Sequence, residues 1–195
     1  MNLILASTSS YRAALLRRLG VAFTPVAPRV DETPAAGERP VDLCRRLSAA
    51  KAHAVANDYP GAVVIGSDQV ATCGGQVLDK PGNLDNARAQ LVRLSGTTCQ
   101  FLTGLHLCCP GGREYTFVVP FEVRFKQLDT RLIDAYLRYD QPFDCAGSFK
   151  SEAAGIALCE WMRGDDPTAL IGLPLLRLSQ VLQAVGVPLF AEPKR

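Results

Sequence analysis

Short apolar runs, each the length of a buried strand, alternate along this chain with segments whose apolar residues recur at helical spacing. Chains patterned in this way fold with helices laid on a sheet. The first run is Leu3-Ile4-Leu5-Ala6, and the Ser7-Thr8-Ser9-Ser10 cluster behind it is rich in hydroxyls that cap helix starts. From Tyr11 onward, Leu15, Leu16 and Leu19 share one helical face, and Gly20 supplies the stop. Strand, tight turn and helix follow in that order.

A second strand is expected over residues 23–27, and a loop over residues 28–40, where Pro28, Pro34 and Pro40 are interspersed with charged residues. Pro40 suits a helix start. Leu43, Leu47, Ala50 and Ala54 then repeat on one face up to Tyr59-Pro60, with Lys51 at the edge of that face. Residues 62–66 have the pattern of a central strand, which places Ser67-Asp68-Gln69 at its carboxyl end. Gly74-Gly75 marks a hairpin, and residues 84–94 a helix. Two β-rich runs, 100–108 and 115–125, flank Pro110-Gly111-Gly112 as a long hairpin, and helices recur near 130–139 and 175–185. No repeat or linker divides the chain. The expectation is an α/β protein with a mixed sheet, forming one domain over residues 1–195 with two lobes around a cleft.

Charge narrows the partners. With 21 Lys plus Arg against 19 Asp plus Glu, the net charge is +2 and no block of like charge stands out, so neither a nucleic-acid polymer nor a membrane is an expected partner. A small anion is. The run from Met1 to Ala6 is too short for a signal peptide or a span. Seven cysteines, an odd number that includes the adjacent Cys108 and Cys109, point to buried reduced thiols and a cytoplasmic protein. The two histidines, His53 and His106, lie far apart in sequence with no zinc-site spacing around them.

Polar residues gather at element ends. Hydroxyls and unpaired amides at a strand-to-helix turn attract anions, so Ser7, Thr8, Ser9 and Arg12 could hold phosphate. Asp68 follows a core strand, where open α/β sheets place ligands. Lys80 is stiffened by Pro81, and Asp31 and Glu32 sit in the proline-containing loop. Each has an ordinary explanation as a cap, a turn or a solvated charge. Together they supply cations for phosphate and carboxylates for a divalent metal.

These residues resemble the Maf family of nucleoside triphosphate pyrophosphatases over nearly the whole chain. The likeness rests on ordered blocks: Leu5-Ala6-Ser7-Thr8-Ser9-Ser10-Tyr11-Arg12, Val30-Asp31-Glu32-Thr33, Arg46-Leu47 through Ala50-Lys51-Ala52, Ile65-Gly66-Ser67-Asp68-Gln69-Val70, and Lys80-Pro81. Cys145-Ala146-Gly147-Ser148-Phe149-Lys150-Ser151-Glu152 and Ile171-Gly172-Leu173-Pro174 complete them. The resemblance implies a mixed, curved central sheet with flanking helices in two lobes, a nucleotide in the cleft, a divalent metal such as Mg or Mn, and a homodimer. It also implies attack of water between the α and β phosphates. By matching position, Asp68 is the catalytic carboxylate and a metal ligand, Glu32 helps hold the ion, and Ser7, Arg12, Lys51 and Lys80 bind phosphate.

Within the family, residues 145–152 and Gln69 resemble the branch that prefers 7-methyl-GTP. Methylation at N7 makes guanine cationic, and an aromatic face and a carboxylate favour a cation. Tyr11 and Glu152 supply them. The resemblance implies Arg, Thr and Gln in place of Tyr11, Gln69 and Glu152 in the dTTP and UTP branch. Pyrimidine triphosphate hydrolysis and a non-catalytic nucleotide-binding role in cell division are the alternatives.

Overall fold

The computed structural model describes residues 2–191. Met1 and residues 192–195, which include the Lys194-Arg195 pair expected as a frayed tail, lie outside the described residues. In chain order the elements are β1 (Leu3–Ala6), α1 (Ser10–Arg17), β2 (Thr24–Val26), α2 (Pro40–Ala56), β3 (Val63–Cys73), β4 (Gln76–Leu78) and α3 (Leu84–Leu94). They continue with β5 (Thr98–Cys109), β6 (Arg113–Phe125), α4 (Thr130–Asp140), β7 (Cys159–Arg163), α5 (Pro167–Ile171) and α6 (Leu175–Ala184). Strand order is β2-β1-β3-β5-β6-β7, with β4 paired to β3. β1 runs parallel to β2 and β3, whereas β3–β4 and β6–β7 are antiparallel, so the sheet is mixed as expected.

The chain forms two compact units. One comprises residues up to Gln69, Thr103–Val119 and the residues from Asp166; the other comprises Val70–Leu102 and Pro120–Asp165. In the first, strand alternation sorts side chains between two faces. Leu5, Ile65 and Leu107 are buried with Leu16 of α1 and Leu182 of α6, while Ile4, Val64 and Cys108 are buried with Ala52 and Val55 of α2. Helices therefore cover both faces. Each fully buried leucine contributes about 1.5–3 kcal/mol over its exposed state. In the second unit, Phe149 packs against Phe101 and Phe125 at ring-centroid distances of 6.0 and 5.3 Å, the latter T-shaped. Its helices α3 and α4 start at caps, where Asn83 and Asp129 accept from the amides of Asn86 and Leu132.

One expectation needs correction. The strand expected to stop at Gly66 runs on to Cys73, so Asp68 lies inside β3 and not in a turn behind it. The polar residues stay in the strand because they are satisfied there: Ser67 Oγ donates to the Gly104 and Gly172 carbonyls at 2.7 and 3.0 Å, and Asp68 is ion-paired. What ends at this level is the parallel neighbour, since the β1–β3 register closes with Ala6 opposite Gly66. Asp68 thus sits just beyond the carboxyl end of β1. β7 and α5 were not anticipated. In the strand, only Cys159 is buried; the helix has five residues.

Candidate active site

Helix α2 reaches the sheet closely because glycine lies beneath it. A Cβ at Gly66 would overlap the Ser48 carbonyl and approach the Ala52 amide nitrogen to 2.6 Å, and one at Gly104 would lie 2.7 Å from both the Cys44 carbonyl and Ser48 Oγ. Cys44, Ser48 and Ala52 follow at i, i+4 and i+8, a stripe of small side chains along one helix face. The two glycines on β3 and β5 accept that stripe. This close seating brings Lys51, one residue before Ala52, down onto β3.

There Lys51 Nζ donates to Asp68 Oδ1 at 2.6 Å and pairs with Glu32 Oε1 at 2.9 Å. Lys51 and Asp68 are both 6% exposed, while Glu32 reaches in from the exposed loop. A buried ammonium shared between two carboxylates is held by strong charge-assisted bonds. The loop carrying Glu32 is also tied to α2. Arg46 makes a two-pronged contact with Glu38 at 2.7 and 2.8 Å and donates to the Thr33 carbonyl at 3.1 Å. Arg46 pulls the Glu38 carboxyl down to about 2. Within the loop, hydrogen bonding from the Thr33 side chain and then from the Thr33 amide, which donates to Asp31 Oδ1 at 2.9 Å, holds the Asp31 carboxyl below its usual range.

The start of α1 lies in the same unit. Ser9 caps the helix by accepting from the Arg12 amide at 3.3 Å, and Ser7 Oγ accepts from the Ser9 amide at 3.1 Å and from Arg12 Nη1 at 3.5 Å. Ser7 Oγ therefore receives two N–H groups and keeps its own proton to donate. Arg12 Nε donates to the Gly172 carbonyl at 2.9 Å, the acceptor that Ser67 also uses. Burial lowers the pKa of Arg12, and the negative charges of Asp68 and Glu32 oppose that shift. Arg12 thus feels both acids, and Ser7, Arg12, Glu32, Lys51 and Asp68 form one group.

Gln69 performs a different task. Its Nε2 donates toward Thr103 Oγ1, the Ala169 carbonyl and the Leu170 carbonyl at 3.1, 3.0 and 2.9 Å, which anchors α5. Asp166, 2% exposed, caps that helix and also accepts from the Leu176 amide at 2.8 Å, fixing the segment that presents Gly172. Tyr11 is half-buried in the first turn of α1. Lys80 and Glu152 are exposed residues of the other unit, and Ser151 Oγ donates to Glu152 at 3.4 Å. The sequence reading missed Ser67, Gly104, Thr103 and Asp166. Only Asp166, followed by Pro167 as a capped helix start, left a local signal.

Two carboxylates that converge on one positive centre form a hard-oxygen pair suited to a divalent ion such as Mg or Mn. Lys51 Nζ shows that Glu32 and Asp68 can share a single cation. Among the described residues, no helix is long and apolar enough to cross a membrane. Among those residues, no disulfide joins any of the seven cysteines; five are buried as expected, whereas Cys73 and Cys145 are partly exposed because they lie near an open strand end and in a loop.

An open α/β sheet carrying a capped, arginine-bearing helix start beside a buried Lys–Asp pair defines a protein equipped to hold a small polyanion. The chain belongs to the Maf family: the profile described as Maf-like protein matches residues 2–185. It is 50% identical over 188 residues to a Nitrosococcus oceani protein named 7-methyl-GTP pyrophosphatase, covering 96% of this chain and 94% of that one. A Bordetella pertussis protein of the same name is 51% identical over 193 residues, covering 98% and 96%. Among solved structures, the Staphylococcus aureus Ham1 protein overlaps with a TM-score of 0.47 at 14% identity, covering 65% of this chain and 73% of that one.

Proposed function

We propose that this protein is a nucleoside triphosphate pyrophosphatase that hydrolyses 7-methyl-GTP to 7-methyl-GMP and pyrophosphate. The observation that carries the proposal is the buried Lys51 ammonium shared between Asp68 and Glu32 in the same unit as the Ser7–Arg12 helix start. The names of the roughly half-identical relatives support the substrate.

In the reaction, a water oxygen bonds to the α-phosphorus, the bond from that phosphorus to the α,β-bridging oxygen breaks, and pyrophosphate leaves. Arg12, Lys51 and the Ser7 hydroxyl take phosphate oxygens, so positioning and charge neutralisation carry most of the catalysis. Phosphate arriving at Lys51 draws the ammonium's hydrogen bonds to itself and leaves the Asp68 carboxylate to accept the proton of the attacking water. Glu32 and Asp68 would hold the divalent ion, which when bound neutralises phosphate charge and makes water more acidic. Lys80 is a further phosphate cation in this proposal. Tyr11 offers an aromatic face and Glu152 a carboxylate to the cationic base, while Gln69 acts by holding α5. The reduced thiols support a cytoplasmic setting, and the homodimer is part of the same reading.

A panel of 7-methyl-GTP, GTP, UTP and dTTP with magnesium tests the assignment. Fastest release of pyrophosphate from 7-methyl-GTP is expected. Preference for a pyrimidine triphosphate would reassign the substrate, and tight binding without turnover across the panel would leave only a regulator.

A further inference from the structure

Away from Asp68, the same unit assembles a second set of metal-type donors from three elements. His53 on α2, His106 and Cys108 on β5, and Glu114 on β6 place one ligand atom each within 4.8 Å of one another. The two histidines that sequence spacing separates have ring centroids 4.9 Å apart, edge to face. His106 and Cys108, two residues apart on one strand, share the sheet face that α2 covers, where Cys108 is buried with Ala52 and Val55.

The buried imidazole is the telling group. His106 is 3% exposed, and its Nε2 makes no hydrogen bond, although Glu114 Oε2 lies 3.6 Å away. A buried nitrogen left without a hydrogen bond is costly unless something else occupies its lone pair. Its other nitrogen, Nδ1, lies 2.8 Å from Thr116 Oγ1. When Nδ1–H donates to that hydroxyl, the Nε2 lone pair faces the cluster, the outer-sphere arrangement typical of metal-binding histidines. His53 Nε2 and Glu114 Oε1 meet at 2.9 Å on the outer side, and both residues are about half exposed, which leaves a path for an ion to enter.

We propose that His53, His106, Cys108 and Glu114 form a second metal site, selective for a borderline divalent transition metal, zinc foremost, and separate from the hard-oxygen pair Glu32–Asp68. Two imidazoles, a thiolate and a carboxylate match a tetrahedral zinc set, whereas magnesium prefers oxygen alone. On binding, the Cys108 S–H bond breaks, the proton passes to solvent, and an S–metal bond forms. A thiol is largely protonated at neutral pH, so binding through the thiolate releases one proton per ion. The ion would pin α2, which carries Lys51, to the β5–β6 hairpin.

The full-length protein, stripped with a chelator and dialysed against Zn2+ in excess Mg2+, should retain one zinc per chain. Co2+ in its place should give a thiolate-to-cobalt charge-transfer band and intense tetrahedral d–d bands. Cys108→Ser should abolish the charge-transfer band. Because burial could make that variant fold poorly, the surface double variant His53→Gln/Glu114→Gln provides an independent arm: zinc affinity should fall at least tenfold, and the zinc-dependent rise in Tm should disappear. Asp68→Asn should bind zinc as the wild type does, which separates this site from the proposed catalytic one. No retained zinc, undiminished affinity in the double variant, or loss of zinc binding in Asp68→Asn would each overturn the proposal.

Discussion

Lys51 Nζ and Asp68 Oδ1 meet at 2.6 Å with both side chains almost fully buried, one on a helix and the other inside a strand. Removing one partner of such a pair leaves a buried charge unmatched, at a cost of about 3–5 kcal/mol. Lys51→Met should therefore destabilise the protein by roughly 3 kcal/mol in urea unfolding, and adding Asp68→Asn should restore much of that loss. Purely additive effects would mean that the two charges are not coupled.

The approach of α2 to the sheet depends on the two glycines beneath it. Gly66→Ala and Gly104→Ala should each cost about 1–3 kcal/mol by overpacking and should reduce turnover through the displacement of Lys51. Gly61→Ala, whose Cβ would meet nothing within 4 Å, is the control and should be close to neutral. Equal stability of all three variants would contradict the close seating of the helix.

The Arg46–Glu38 contact gives the Glu32 loop a pH signature. Glu38 is lowered from 4.5 to about 2 in the folded protein. A depressed carboxyl contributes stability that is fully present above its unfolded value and is lost as pH falls through its folded one. The wild type should thus exceed Arg46→Met in thermal stability above about pH 4.5, and the difference should shrink as pH falls toward about 2 and disappear below it. Arg46 is exposed while Glu38 is partly covered, and solvent screening at the exposed guanidinium keeps the expected effect small. A difference independent of pH would assign Arg46 a packing role only.

Glu152→Gln removes a charge while keeping the shape. If Glu152 reads the cationic base, the kcat/KM preference for 7-methyl-GTP over GTP should fall about tenfold, the order of one charge-assisted contact. Similar losses on both nucleotides would show that its charge does not discriminate between them.

Much of this architecture could be read from local signals. Ser9 and Pro40 mark helix starts, and Gly74-Gly75 and Pro110-Gly111-Gly112 mark turns that the structure contains, because such preferences act within a few residues. The length of β3 could not be read locally. Ser67 and Asp68 look like turn residues until Gly104, Gly172 and Lys51 are in place to satisfy them. The same holds for His53 and His106, whose proximity depends on how α2 lies over β5. Lys51 was placed at the edge of a buried face by helical spacing, but its bond to Asp68 required knowing that the two glycines let the helix settle. Strand patterning marks Asp68 as a polar residue following a core run, but its catalytic role comes from resemblance to a family.

The most direct test is hydrolysis of 7-methyl-GTP in 18O-labelled water with magnesium, followed by mass spectrometry of both products. Attack at the α-phosphorus predicts label in 7-methyl-GMP and none in pyrophosphate, and Asp68→Asn should slow the reaction by at least about a hundredfold. Label in pyrophosphate or in orthophosphate, or near-normal turnover by the Asp68→Asn protein, would contradict the proposed chemistry.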